Sequence, residues 1–180
     1  MKTYPIPMVP GPVKVAREVL NAYQINYGSS DLESEFLELY NQTEANLKKI
    51  MSTKNRVVIQ TGEGMLALWS ALKSCLVPDD RVLSIATGVF GEGIGDMAAS
   101  VGAEVRKISL AYNETISDMD EIRTVIESFK PKMITVVHCE TPSGTLNPLT
   151  EIGRIKKDQE VPLLYVDAVA SIGGAPVLTD

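Results

Sequence analysis

Short apolar runs alternate with helical stretches from Arg56 onward, and this alternation constrains the fold more than any other feature of the chain. The runs are RVVIQ (56–60), RVLSIA (81–86), AEVRKI (103–108), MITVVH (133–138) and PLLYVD (162–167). The stretches between them predict helices over 65–77, 93–102, 117–130 and 149–158, the third of these capped by Ser117. Strands that alternate with helices favour a parallel sheet covered on both faces. The sequence therefore predicts an α/β fold, a three-layer α/β/α arrangement with a mainly parallel sheet.

The residues before the first run predict an N-terminal arm of two helices. Pro12 suits the first turn of a helix over 13–27, and Asp31 suits the N-cap of the next helix. We therefore divide the chain into an N-terminal helical arm, 1–55, and a large domain, 56–180. A chain of 180 residues can bury the core of one sizeable domain, whereas two complete domains would be cramped.

Charge and composition narrow the class of partner. The net charge is −6, so no face can collect enough Lys and Arg to neutralise many phosphates, which argues against nucleic acid. The chain has no apolar run of membrane-spanning length and no secretory leader, so we expect no membrane association and a cytoplasmic protein. Two distant cysteines and a single histidine support neither a disulfide framework nor a metal site.

Four unusual loops follow predicted strands. They are TGEG (61–64), TGVFG (87–91), CETPSGT (139–145) and DAVASIGG (167–174). In a parallel sheet, ligands bind beyond the carboxyl ends of the strands, so the sequence predicts that these loops gather along one rim and form the site.

The first loop runs through Gly62 and Gly64 into a helix, and free N–H groups at a helix start form an anion site. A tight turn without a ligand explains the two glycines equally well. Residues 62–67 also fit G-x-G-x-x-A, the dinucleotide-binding fingerprint. That interpretation requires an acid at the end of the second strand, where the sequence has Ile85-Ala86-Thr87.

The other loops offer an aromatic ring, hydroxyl groups and an acid. Phe90, between glycines, is either a stacking platform for a ligand ring or a core residue. Four residues after the fourth apolar run can reach the rim: Glu140, Thr141, Ser143 and Asn147. Of these, Thr141 is the best placed to donate a hydroxyl hydrogen bond to a ligand.

Two further residues of these loops have more than one interpretation. His138 is more typical of a structural histidine than of a general base, and a Ser143–His138–Asp167 triad lacks the G-x-S-x-G turn that exposes a nucleophilic serine. Asp167 either caps the following turn or holds a cation. The other residues of the rim decide between these two interpretations of Asp167.

Taken together, the loops would supply a backbone anion-binding site, an aromatic ring that can stack on a ligand, a hydroxyl donor and a buried carboxylate. An aromatic phosphate ester whose ring carries a positive charge fits all four. Pyridoxal 5'-phosphate is such a ligand, because a buried aspartate keeps its pyridine nitrogen protonated.

Five stretches carry a resemblance to a known family: VPGP, TGEGMLAL, LVPDDRVLSIATGVFGEG, HCETPSGTLNPL and YVDAVASIGG. Together they cover most of the chain, which resembles the N-terminal half of the class V aminotransferases, fold-type-I pyridoxal-phosphate enzymes. The resemblance implies a homodimeric enzyme that transfers an amino group from a small amino donor to a 2-oxo acid such as pyruvate or glyoxylate. It also implies that the large domain is incomplete here.

The resemblance assigns roles to individual residues. Asp167 would be the catalytic residue at the pyridine nitrogen, with Val169 against one ring face and Phe90 against the other. Thr141 would lie near the phenolic oxygen of the ring. Backbone amides at Gly64 and Met65 would hold the phosphate, although the family often has Ser, Thr or His where this chain has Met65.

The chain departs from the family in one important respect. The family's Schiff-base lysine lies beyond the segment of Asp167, and no lysine follows Asp167 in these 180 residues. We therefore expect the chain as given to be inactive by itself. Two other hypotheses remain: a non-catalytic binding module that retains the transaminase fold, and a dinucleotide-binding oxidoreductase domain.

Overall fold

The computed structural model describes residues 4–6, 8–11 and 13–179, so the expected role of Pro12 lies outside the described residues. The chain divides into two compact units, Met1–Ile59 with Val177–Asp180, and Gln60–Pro176. We call them the N-terminal unit and the sheet unit and describe each by itself.

The N-terminal unit contains helices α1 (Arg17–Ala22) and α2 (Ser34–Ile50). The prediction of a helix over 13–27 is wrong in length, because α1 buries none of its residues and packing therefore adds no stability to further turns. Asp31 is not the N-cap of the second helix. Its N–H donates to Ser29 Oγ in a turn, and α2 begins later, after Glu33.

Residues 56–60 do not form the predicted strand. A strand requires a hydrogen-bonded neighbour, and none of the strands in the described part of the chain pairs with this segment. The N–H of Val57 instead donates to Glu44 Oε1 at 3.1 Å, and Val58 is 85% exposed. This hydrogen bond, together with Lys48, holds the pKa of Glu44 below its usual range.

The sheet unit has the alternating order that the sequence predicts. Its elements are α3 (Gly64–Cys75), β1 (Arg81–Ala86), α4 (Val89–Ser100), β2 (Glu104–Ser109), α5 (Met119–Phe129), β3 (Met133–Val137), β4 (Cys139–Glu140), β5 (Thr145–Leu146), α6 (Leu149–Asp158) and β6 (Leu163–Asp167). Four strands form a parallel sheet in the order β2-β1-β3-β6, while β4 and β5 form a small antiparallel pair. Asp118, rather than Ser117, caps α5.

Two apolar cores make the unit a three-layer α/β/α structure, which confirms the predicted fold class. On one face of the sheet, α5 and α6 bury a core of isoleucine, leucine and valine side chains: Leu83, Ile85, Ile122, Ile126, Ile134, Val136, Ile152 and Ile155. On the other face, α3 and α4 contribute to a second core: Leu72, Leu76, Val82, Met97, Ala98 and Met133.

The strand order reverses beside β1. The chain passes from β1 to β2 on one side, and then returns across β1 to β3 and continues to β6. Crossovers of one hand then place α4 on one face and α5 and α6 on the other, as observed. The helices that follow β1 and β3 therefore lie on opposite faces of the sheet, and the carboxyl ends of strands at such a reversal are where open α/β sheets bind ligands.

One buried hydroxyl in the sheet allows a test of the packing. Thr135 Oγ1 on β3 is buried and has no hydrogen-bond partner among the described residues. Valine has the same shape without the unsatisfied hydroxyl, so Thr135→Val should raise the free energy of unfolding by about 1 kcal/mol in urea denaturation.

Thr87→Val is the matched control, because Thr87 Oγ1 accepts a hydrogen bond from Asn147 Nδ2 at 2.7 Å. The same change there should lower the free energy of unfolding. Equal destabilisation by both substitutions would contradict the account of Thr135.

Candidate active site

The rim at the carboxyl ends of β1, β3 and β6 carries most of the predicted site residues. The segment 87–91 directly follows β1, the segment 139–145 begins two residues after the end of β3, and the segment 167–174 begins with the last residue of β6. The segment 61–64 instead precedes α3 without a strand before it, because residues 56–60 are not part of the sheet.

The start of α3 has unpaired backbone donors. Gly62 has φ +153°, and Leu66 N–H donates to Glu63 O at 3.0 Å. The N–H groups of Gly64 and Met65 have no acceptor among the described residues. The Met65 side chain packs against the core beneath α3, so only its backbone is available to an anion. A helix of twelve residues adds its dipole to these two donors.

Asp167 lies at the end of β6 and is 6% exposed. Its Oδ1 accepts from Val169 N–H at 2.9 Å, and its carbonyl oxygen accepts from His138 N–H at 2.8 Å. Among the described residues its carboxylate has no other hydrogen bond. The two interpretations of Asp167 are therefore compatible, since one oxygen caps the turn and the other has no protein donor.

The loop after β6 meets the start of α3. A Cβ built on Gly64 would lie 3.9 Å from Cγ2 of Val169, whose side chain is exposed. The structure thus brings Gly64, Val169 and Asp167 together at one edge of the sheet.

Phe90 lies in the first turn of α4, after β1, and Thr141 lies in the turn between β4 and β5, after β3. Phe90 is 37% exposed, so its ring is not part of the core. The half-buried hydroxyl of Thr141 makes no hydrogen bond within the described residues. A side-chain contact joins the two segments, because Oε1 of Glu140, the residue before Thr141, accepts from Phe90 N–H at 2.8 Å.

His138 has the surroundings of a structural histidine. It is buried, and its Nδ1 lies 2.9 Å from Ser171 Oγ. Burial lowers the pKa of His138 below its usual range. The Ser143 hydroxyl donates to Thr145 Oγ1 at 2.8 Å rather than to His138, which argues against a catalytic triad.

A buried polar network behind the rim was only partly visible in the sequence. Asn147 Nδ2 donates to Thr87 Oγ1 at 2.7 Å and to Val137 O at 2.8 Å, while Thr115 Oγ1 donates to Asn147 Oδ1 at 2.9 Å. The sequence places Asn147 near the rim but gives no local signal for Thr87 or Thr115. The network ties together the loops that follow β1, β2 and β3.

Other features of the described residues do not include the rim residues. Two surface hollows contain none of the rim residues. One is lined by residues 14–17 and 20, and the other by residues 126, 127, 130, 131 and 159–161. No described group of three or more His, Cys, Asp or Glu residues could hold a metal ion. Of the helices in the described ranges, none has the length and apolar content needed to cross a membrane.

Comparison with solved structures defines the class of protein. The alanine–glyoxylate aminotransferase of Nostoc sp. matches with a TM-score of 0.88 at 31% identity, covering 98% of this chain and 48% of that chain. The fold is that of fold-type-I pyridoxal-phosphate aminotransferases. Residues 10–180 match the family model described as aminotransferase class-V, and the chain belongs to this family. Pyridoxal phosphate is the cofactor of these enzymes.

Curated relatives agree with this family. The pyridoxamine–pyruvate transaminase of Mesorhizobium japonicum is 35% identical over 172 residues, which are 94% of this chain and 42% of that protein. An uncharacterised aminotransferase of Methanocaldococcus jannaschii is 32% identical over 174 residues, covering 96% of this chain and 44% of the relative. The chain thus spans less than half the length of these two relatives.

The buried histidine predicts how stability depends on pH. His138 is the only histidine, and its folded-state pKa lies below that of the unfolded chain. The unfolded state therefore binds more protons, and stability is lost as pH falls below about 6.5 towards the folded-state pKa. The temperature at the midpoint of thermal unfolding should decrease as the pH is lowered from about 7.5 to about 5.5. This window lies above the pH range in which paired carboxylates contribute.

His138→Gln tests this assignment because it removes the titrating group while keeping a polar side chain of similar length. The variant should show a flatter dependence of the thermal midpoint on pH across the same window. An unchanged slope would mean that other groups cause the dependence.

Proposed function

We propose that this chain forms the cofactor-binding part of an aminotransferase that transfers an amino group from a small amino donor to a 2-oxo acid such as pyruvate or glyoxylate. The main support is Asp167, a nearly buried carboxylate with one oxygen bonded to its own turn and no second partner among the described residues. The names of relatives, which include pyridoxamine–pyruvate and (S)-ureidoglycine–glyoxylate transaminases, support the choice of acceptors.

The start of α3 binds the phosphate in this proposal. Gly62 and Gly64 leave room for close approach, and the unpaired N–H groups of Gly64 and Met65 are the donors. Because Met65 has no hydroxyl, the backbone and the helix dipole carry the interaction at these positions.

Three rim residues would orient the pyridine ring. The exposed ring of Phe90 would stack on one face, and the exposed Val169 would pack against the other. Thr141, whose hydroxyl has no partner among the described residues, would donate to the phenolic oxygen. These contacts would limit the access of water to the ring.

Asp167 supplies the charge that the chemistry needs. Bound pyridoxal phosphate acts as an electron sink when its ring nitrogen is protonated. The carboxylate of Asp167 accepts a hydrogen bond from that protonated nitrogen and raises the nitrogen's pKa, because the opposite charge favours the protonated form. Burial strengthens this interaction by excluding water.

Further parts of the proposal concern the whole protein. The helical arm, 1–55, and the domain, 56–180, form part of a larger subunit that acts as a cytoplasmic homodimer. The family's lysine and much of its substrate-binding machinery come from sequence outside these 180 residues.

Replacement of Asp167 tests the proposed role directly. Asp167→Asn keeps the size of the side chain but removes its charge, so the affinity of the chain for pyridoxamine 5'-phosphate should fall by about tenfold or more. Fluorescence titration of the probe measures the dissociation constant. In a full-length protein with this sequence, the rate of amino transfer should fall by orders of magnitude.

Asp120→Asn, an exposed position in α5, is the matched control and should leave the dissociation constant unchanged. Similar affinities for the Asp167 variant and the unaltered chain would reject the assignment of Asp167.

The 180-residue chain alone should have no transaminase activity with any amino donor. The family uses one lysine both to carry the cofactor and to move the substrate proton, and no lysine follows Asp167. Lys73, Lys130 and Lys156 belong to helices or their ends and do not lie on the rim segments. Keto acid formation should not exceed that of a cofactor-only control. Turnover together with a borohydride-reducible adduct at a single lysine would overturn this expectation.

A further inference from the structure

The strongest unassigned feature of the rim is the carboxylate of Glu140, which is fully buried at the start of α4. Its Oε1 accepts from Phe90 N–H at 2.8 Å, and its Oε2 accepts from Gly91 N–H at 3.2 Å. We propose that Glu140 is a positioning residue that sets the orientation of Phe90, and through it the stacking face for the cofactor ring. This inference rests on the proposed function.

Glu140 takes the place of a helix N-cap side chain. The N-cap residue of α4 is Gly88, which has no side chain to accept the first N–H groups. An N-cap side chain ordinarily accepts from the second or third residue of the helix, and here those residues are Phe90 and Gly91. A residue 50 positions along the chain from Phe90 therefore performs the capping. The carboxylate also interacts favourably with the positive end of the helix dipole.

The sequence leaves space for this arrangement at Gly88. A Cβ built on Gly88 would overlap Cγ and Cδ of Glu140. Any side chain at Gly88 would therefore displace the carboxylate. Gly88 and Glu140 therefore act together: because Gly88 has no side chain, the Glu140 carboxylate has room to cap α4.

Glu140 also fixes the turn between β4 and β5. The carbonyl oxygen of Glu140 accepts from Gly144 N–H at 2.8 Å, and Glu140 pairs with Thr145 in the β4–β5 ladder. These bonds close the turn that carries Thr141. Glu140 holds Phe90 by its side chain and the Thr141 turn by its backbone. It therefore sets the position of the Phe90 ring relative to the Thr141 hydroxyl.

Glu140→Gln changes the interaction with little change in size. A glutamine offers one acceptor oxygen and an NH2 group, and the NH2 group would face a backbone N–H donor. The first turn of α4 therefore loses one of its two acceptors, and the Phe90 ring is no longer held in one orientation. The affinity for the cofactor should then fall towards that of Phe90→Ala.

A double-mutant cycle tests whether Glu140 acts through Phe90. Pyridoxamine 5'-phosphate is the probe, because its amine does not condense with surface lysines. Glu140→Gln and Phe90→Ala should each raise the dissociation constant by about threefold to tenfold, the effect of one aromatic contact. The dissociation constant of the double variant should be no higher than that of the single variant that binds the probe less tightly. Multiplied single effects, or an unchanged constant in Glu140→Gln, would overturn the proposal.

Amide hydrogen exchange provides a readout that does not depend on the cofactor. Exchange at Phe90 and Gly91 should accelerate in Glu140→Gln and remain slow in Phe90→Ala, since the alanine keeps its N–H and its acceptor. The matched control is Glu151→Gln, an exposed acid in the first turn of α6, which should change neither exchange nor affinity. Unaltered exchange at both amides in Glu140→Gln would also overturn the proposal.

Gly88→Ala provides a second variant in case Glu140→Gln fails to fold. The added methyl should displace the Glu140 carboxylate and reproduce both the faster exchange and the weaker binding. Failure of the unaltered chain to bind the probe would contradict the proposed function together with this inference. Normal binding with an additive cycle would contradict the role of Glu140 alone.

Discussion

The hydrogen-bonded register of β1, β3 and β6 is the constraint on which the candidate site depends. Ile85 pairs with Val136, and Val137 pairs with Asp167, so the three strands end level with one another. Loops that are far apart in the sequence therefore begin side by side. A shift of one residue would turn every side chain of a strand to the opposite face, and the two apolar cores oppose such a shift. The apolar layers thus determine where the polar rim groups lie.

Polar groups at the rim fall into two sets. Glu140, Asn147 and His138 are buried and bonded to protein partners, so they support the loops rather than face a ligand. The N–H groups at the start of α3, the Thr141 hydroxyl and one oxygen of Asp167 have no protein partner within the described ranges. Asp167 is buried and Thr141 half-buried, and such polar groups without partners are uncommon in folded proteins. Free N–H groups at a helix start are common, but there they favour an anion. The second set is therefore the one expected to meet a ligand.

Sequence patterns located the elements that depend on local interactions. The sequence predicts the strand 81–86 and the helix 149–158 with their observed bounds, since each has a clear apolar period. The prediction of a strand at 56–60 is wrong because apolar character alone does not supply a neighbouring strand. The sequence predicts the start of α4 at Gly93, four residues late, because the capping group of this helix comes from Glu140. Distant partners of this kind leave no local pattern.

The long separation between Glu140 and Phe90 has a consequence for the order of folding. β1, α4 and β2 occupy one continuous stretch and can pair early, since their contacts close short loops. The Glu140–Phe90 bond spans 50 residues and the Asn147–Thr87 bond spans 60, so both must wait until β3 docks against β1. The rim therefore cannot form before β3 joins the sheet. During synthesis, a nascent chain that ends before Glu140 could pair β1 with β2 but would lack the group that caps α4.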